Sequence, residues 1–291
     1  MEKVLVRPNP TREKTLDIMP TIVSAIYRYG FKVFIGEQFK EQLTASLGEK
    51  ATFCTEESGL DQCDFALVIG GDGTILRIAQ AAAVRKKPVL GINVGTLGFM
   101  SELEVQELWE MEKLRKGDFW LDTRMMINVR VVDPQGCTVF EAEGLNDAVI
   151  SKGVVSRVIR LYVYVDDKET IRLSSDGIIV CTPTGSTAYS LSAGGPILEP
   201  SSDCLAVTPI CPHSLGAKSF VLGADKVIRI TPPPQENAVY LSVDGFQSCV
   251  VAPGNSILIR RSPITFSLIR IKGLGFYEVV SKKLSNERVE I

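Results

Sequence analysis

Histidine is almost missing from this chain, with His213 the only one among 291 residues. That scarcity excludes any Cys/His zinc cluster and leaves one candidate for imidazole chemistry. Set beside Pro212, it reads as a loop or core histidine more readily than as a catalyst. An excess of one charge sign is missing too, since 32 Lys and Arg stand against 34 Asp and Glu, a net charge of -2. Nucleic acid and anionic membrane surfaces therefore have no electrostatic claim on the chain, and any phosphate recognition must be local. No apolar run reaches transmembrane length, and MEKVLVRPNP has neither the apolar core nor the cleavage site of a signal peptide. The expectation is a soluble, cytoplasmic protein without a membrane partner. Cys54, Cys63, Cys137, Cys181, Cys204, Cys211 and Cys249 include no C-x-x-C pair and are odd in number, so they are expected to be reduced core residues. Low-complexity linkers and internal repeats are absent as well.

What is present is apolar: 45% hydrophobic residues can supply a sizeable core, and the length suits two domains. KVLV is followed by Leu16, Met19, Ile22, Val23 and Ile26 at helical spacing, then by Gly30 as a stop and KVFI. FALVI and PVLGIN run without in-out alternation, as strands covered on both faces do, and ILRIAQAAA between them favours helix. A helix is also expected over VQELWEMEKLRKG. After about Asp122 the pattern changes to alternation and β-branched residues in MINVRVVD, VVSRVIRLYVYVDD and KVIRITPP. The expected fold is an α/β N-terminal domain with a parallel sheet (1–122), then a β-rich C-terminal domain (123–265). The tail TFSLIRIKGLGFYEVVSKKL, a strand, a turn and a short amphipathic helix, is expected to return to the first domain (266–291).

FALVIGGDGTILR poses the chemical question. Glycines after a strand let backbone amides approach phosphate, and Thr74 can cap the helix that follows. Yet the residue between Gly71 and Gly73 is Asp72. A carboxylate about 4 Å from a phosphate charge is repelled by roughly 4 kcal/mol at an effective dielectric near 20. Asp72 thus needs a metal, a proton to accept, or a purely structural place as a capping acid in a tight turn. The segment is not a Walker A loop, lacking Lys-Ser/Thr, nor a dinucleotide fingerprint, lacking the third glycine. GINVGTLGFM puts three more glycines after the next strand, where ligands gather on parallel sheets. Asn146 and Asp147 can bind vicinal hydroxyls or a base edge, or form an Asn-Asp turn. DGIIVCTPTGSTAYSLSAGGPI, from Asp176 to Ile197, reads as a built turn feeding a helix, lined by hydroxyls and free amides.

In this order and spacing, GGDGT, NVGTLGF, LNDAVI, DGIIVCTPTGSTAYSLSAGGPI and TPICPHSL resemble the NAD kinase family over nearly the whole chain. GGDGT alone is shared with diacylglycerol and sphingoid lipid kinases, whereas TPTGSTAYSLSAGGP is far more specific. The resemblance implies an NAD kinase that phosphorylates the 2′-hydroxyl of the adenosine ribose of NAD to give NADP, using ATP or polyphosphate, with NAD in a crevice between two domains, a divalent cation (Mg²⁺), and a homodimer or homotetramer. It makes Asp72 the proton acceptor, with Gly71 and Gly73 beside it, and places Asn146, Asp147 and Asp176 on the nucleotide. Thr187, Ala188, Tyr189 and Ser192 would form the adenine and nicotinamide pocket, while Arg77, Arg157 and Gln247 fall where the family has polar contacts. Lys218 and Ser219 replace a frequent Arg-Pro, and VDGFQ stands for a frequent VDGQ. A lipid kinase sharing GGDGT and a dinucleotide sensor that lost the reaction are the alternatives; the intact Asp72 speaks against the sensor.

Overall fold

The computed structural model describes residues 1–10, 13–95, 98–153, 158–214, 216–233, 238–273 and 275–285. The chain divides into one unit of Met1–Thr123 with Phe266–Ile291 and another of Arg124–Thr265.

The first unit is built on five parallel strands: β1 (Lys3–Pro8), β2 (Lys32–Gly36), β3 (Ala51–Cys54), β4 (Phe65–Ile69) and β5 (Val89–Asn93), in the order β3-β2-β1-β4-β5. Helices α1 (Glu13–Arg28), α2 (Lys40–Leu47), α3 (Glu56–Gln62) and α4 (Asp72–Val84) connect them. The helical spacing read from the sequence is the buried stripe of α1, where Met19, Ile22, Val23 and Ile26 are fully covered. Val4, Val6, Phe65, Leu67 and Ile69 join that stripe in one core. The intervening Leu5, Ala66 and Val68 are just as buried on the opposite face, where a Cβ at Gly59 of α3 would meet Leu5 at 2.7 Å. Two-sided cover explains why FALVI shows no alternation. Each such side chain contributes roughly 1.5–3 kcal/mol on burial. From β1 the chain moves outward to β3, then returns to β4 on the other side of β1. The carboxyl ends of β1 and β4 are therefore a topological switch point, where open parallel sheets bind ligands.

The helix expected over 105–117 is broken. Residues Val105–Glu110 form a 3-10 turn with Glu107 outside helical geometry, and only Met111–Lys116 (α5) is α-helical. The Glu107 carboxylate turns back to accept from the amide of Glu104 at 2.9 Å, which caps the turn and competes with a regular first coil.

The second unit is a β-sandwich. Strands Trp120–Val132, Thr138–Gly144, Ile159–Val165, Lys168–Ser175, Ile228–Thr231 and the first part of Ser256–Arg270 lie in one sheet. The other sheet has the order Phe220–Gly223, Cys204–Ile210, Gly177–Cys181, Asp147–Ser151, Val239–Val243, Gln247–Val251, all antiparallel. Its alternating apolar residues pack into one core with those of the first sheet. Gly177–Cys181 is the exception, buried at every position. Its outer face is covered by Ala193 and Leu198 of the segment that follows it. The cysteine expectation holds in part: Cys63 and Cys181 are buried, with thiols pushed up to about 11 chiefly by burial, but Cys137 and Cys211 are exposed, both in turns between strands.

Candidate active site

In the first unit, the Gly70-Gly71 turn leaves β4 at the switch point and Asp72 opens α4. Gly71 is the residue before the helix and supplies no side-chain cap. Asp72 places a negative side chain in the first turn of α4, where the helix dipole suits an acid. That carboxylate is anchored from outside the helix: Oδ2 accepts from the amide of Phe99 at 2.8 Å and Oδ1 from the amide of Met100 at 3.1 Å. Gly98 lies so close to Oδ1 that any Cβ there would collide with it. A carboxylate has about four lone-pair positions, and two amides fill two. Asp72 is half-buried, so it is oriented yet keeps capacity for another partner. Thr74 is not the cap expected of it; its hydroxyl accepts from Asn9 Nδ2 at 3.1 Å, tying the end of β1 to α4. Gly73 is exposed beside Asp72, and Arg77 is exposed one turn along α4.

In the second unit two of the sequence-predicted residues, Asn146 and Asp147, are held through their backbone amides by Asp244. This residue heads a turn with φ of 52°, followed by Gly245 at 77°, and its carboxylate accepts from the amides of Leu145 (2.7 Å), Asn146 (2.7 Å) and Asp147 (3.1 Å). Asp147 is the first residue of its strand rather than part of a preceding turn, and is only 5% exposed. Burial, then the charge of Asp244, raises its carboxyl to about 7. Burial raises Asp244 as well, against the pull of its three amides. Asn146 is 8% exposed and its Oδ1 is buried without a hydrogen-bond partner among the described residues, a cost of about 1–3 kcal/mol that a donor from a ligand would remove. Gln247 reaches the carbonyl of Glu143 through Nε2 at 3.2 Å.

The TPTGSTAY segment differs from the expected hydroxyl-lined loop, because most of its hydroxyls build the turn itself. Thr182 Oγ1 donates to Leu145 O at 2.6 Å and accepts from the Gly185 amide at 3.1 Å. Ser186 Oγ bonds Pro183 O and the Leu198 amide, and Ser190 Oγ pairs with Thr208 Oγ1 at 3.0 Å. A Cβ on Gly185 would strike the carbonyl of Asn146, so this turn and the Asn146 backbone fit only with glycine there. Thr187 and Ala188 are half-buried, while Tyr189, at 48%, and Ser192 are exposed on the four-residue helix Tyr189–Ser192. Asp176 is held by Lys152 Nζ at 2.7 Å. Arg157 lies outside the described residues. His213 is exposed in a loop, its amide bonded to Ser174 O, as its bland reading has it.

Sequence reasoning missed Asp244 and the Phe99 and Met100 amides. The Asp-Gly of VDGFQ between two strands is a hairpin signal that could have exposed Asp244; backbone amides leave no such trace.

Among the described residues no group of three His, Cys, Asp or Glu could hold a metal, and no helix is long and apolar enough to cross a membrane. The ATP-NAD kinase N-terminal domain family matches residues 4–115 and the ATP-NAD kinase C-terminal domain family matches residues 145–271. The chain is 42% identical over 267 residues to an NAD kinase of Symbiobacterium thermophilum, covering 87% of this chain and 94% of that protein. It is 36% identical to an NAD kinase of Caldanaerobacter subterraneus, covering 98% and 99%. Among solved structures it resembles an NAD kinase from Archaeoglobus fulgidus in complex with ATP, with TM-score 0.73 and 26% identity over 97% of this chain and 99% of that one. It shares the fold of yeast NADH kinase complexed with NADH, with TM-score 0.88 and 23% identity over 99% and 89%. These relatives are NAD kinases, not lipid kinases, and with both of the family's domains matched and full-length identity of this order, the chain belongs to the NAD kinase family.

Proposed function

We propose that the protein transfers the γ-phosphoryl group of ATP to the 2′-hydroxyl of the adenosine ribose of NAD, giving NADP and ADP. The observation that carries this is Asp72, a carboxylate aimed by two amides at the switch point of the sheet with lone pairs to spare. In the reaction the ribose oxygen forms a bond to the γ-phosphorus as the bond to the bridging oxygen of ADP breaks, and Asp72 takes the hydroxyl proton. A positioned base of this kind contributes roughly 10²–10⁴ in rate. Asp147 and the Oδ1 of Asn146, which has no partner among the described residues, are suited to hydroxyl and amide donors of the dinucleotide. Thr187, Ala188, Tyr189 and Ser192 are proposed to flank its rings, and Gly71 and Gly73 to let phosphate approach the start of α4.

A divalent cation fits this donor set in one way. Mg²⁺ keeps most of its shell from water and substrate phosphates and takes one or two carboxylates, and Asp72 is a lone carboxylate in its loop; bound there, the cation would neutralise charge on the transferring phosphoryl group. The family resemblance supports a cytoplasmic homodimer or homotetramer in addition.

The test is regiochemical. Orientation alone contributes several kcal/mol when one hydroxyl is in line with the donor, so the product with ATP and Mg²⁺ is expected to carry phosphate solely at the 2′ position. Phosphorus NMR, together with reduction by a dehydrogenase strict for NADP, reads this out. A 3′-phosphate, or no product from NAD with ATP or polyphosphate, would overturn the proposal.

A further inference from the structure

We infer that Arg270 is a positioning residue for phosphoryl transfer, acting on Asp72 through the backbone of Phe99 and Met100. The inference rests on Asp72 being the proton acceptor. Arg270 is the last residue of the strand Ser256–Arg270, whose Leu268 pairs with Val89 of β5. Its guanidinium donates to Phe99 O through Nη2 at 3.4 Å and to Met100 O through Nη1 at 3.3 Å. The amides of the same two residues are the ones that hold the Asp72 carboxylate. The short segment is thus gripped from both sides, its carbonyls by a cation and its amides by an anion.

The guanidinium is itself fixed. Nε donates to Asp122 Oδ2 at 3.0 Å and Nη1 to Glu102 Oε2 at 3.2 Å, and Glu102 also accepts from the amides of Ile271 and Lys272 at 2.7 and 2.6 Å. A planar fork with five donors can serve two carbonyls and two carboxylates at once, which a lysine ammonium with three donors cannot. The helix that follows, Phe276–Ser285, adds a second grip on the same residue. The Phe276 ring lies 6.4 Å from that of Phe99, and Lys283 Nζ stands 4.3 Å over the Phe99 ring. These contacts join the C-terminal segment of the first unit to the residue that orients Asp72. A proton acceptor that must sit within hydrogen-bond reach of one hydroxyl gains from such bracing, because small displacements of a catalytic group cost rate steeply.

Arg270→Lys is the discriminating variant, since it keeps a positive charge beside Glu102 and Asp122 and so preserves the fold, while it cannot bridge both carbonyls. It is expected to lower kcat roughly five- to tenfold with KM for NAD changed less than about twofold, and to speed hydrogen exchange at the Phe99 and Met100 amides. Arg270→Ala, where it folds, should regain part of its kcat with added guanidinium. In the Asp72→Asn background Arg270→Lys should lower kcat little further, because its route to the chemistry is already cut. Wild-type kcat in Arg270→Lys, unchanged exchange at the two amides, or a full multiplicative loss on top of Asp72→Asn would overturn the inference while leaving Asp72 in place. Wild-type turnover in Asp72→Asn itself would instead remove the reading on which the inference stands.

Discussion

Replacing Asp72 by Asn should lower kcat at least 100-fold while KM for NAD stays within a few-fold of wild type, as measured by coupling NADP formation to an NADP-specific dehydrogenase. Two losses act together. The amide cannot accept the ribose proton, which removes roughly 10²–10⁴ in rate. It also upsets the anchor: a carboxylate accepts from both the Phe99 and Met100 amides, whereas Asn has one carbonyl oxygen and turns its NH₂ toward the other N–H. A donor facing a donor costs about 1–3 kcal/mol where water cannot intervene. Since Asp72 is only half-buried, the structural loss belongs at the low end, about 1 kcal/mol in an unfolding experiment, and cannot account for a 100-fold loss by unfolding the enzyme. Because an effect on kcat with KM retained marks an interaction made in the transition state, turnover within tenfold of wild type would reduce Asp72 to a structural acid that docks the 98–100 segment.

The fold sets Asp72 at the start of α4, held by the amides of Phe99 and Met100. Most of it was legible in the residues. Unbroken apolar runs at 65–69 and 89–93 marked strands covered on both faces, and a glycine pair ending such a run marked the turn into α4. The alternation after Asp122 marked the sandwich, and Gly177–Cys181 broke the rule only because the chain folds back over its own outer face. What could not be read are contacts that join distant positions through the main chain. Arg270 meets Met100 across 170 residues and Asp244 meets Leu145 across 99, and in both cases one partner is a peptide group that every residue possesses. Composition misled at the TPTGSTAY turn for a related reason: hydroxyls that looked free for a ligand are consumed by backbone atoms of their own loop. The 105–110 stretch misled because apolar spacing does not register a carboxylate that folds back onto a helix start.

The buried acids of the second unit are expected to make the protein's stability and its affinity for NAD depend on pH in opposite directions. Asp147 rises from an ordinary 3.8 to about 7, by burial first and by the Asp244 charge second. A raised folded value means that the native state holds a proton the unfolded chain has released. This contribution to stability is therefore full below about pH 4 and is lost as pH climbs through about 7. The change is worth at most about 4 kcal/mol, and about 2 once relaxation and water entry are allowed for. Asp147→Asn, neutral throughout, is expected to unfold at higher denaturant than wild type at pH 8, by about 2 kcal/mol, with the gap closing toward pH 5. Asp244→Asn offers no such gain, since its three amide partners need both carboxylate oxygens. Binding runs the other way. A hydroxyl donor from NAD favours the ionised form of Asp147, so binding should expel a proton near neutral pH and tighten between pH 6 and 8, and Asp147→Asn should weaken NAD by about tenfold at pH 8 and remove that dependence. Calorimetry in buffers of different ionisation enthalpy counts the proton, and denaturant melts at pH 5 and 8 measure the gap; equal midpoints for variant and wild type at pH 8, with no proton released on binding, would show that Asp147 is ionised in the folded protein before the ligand arrives.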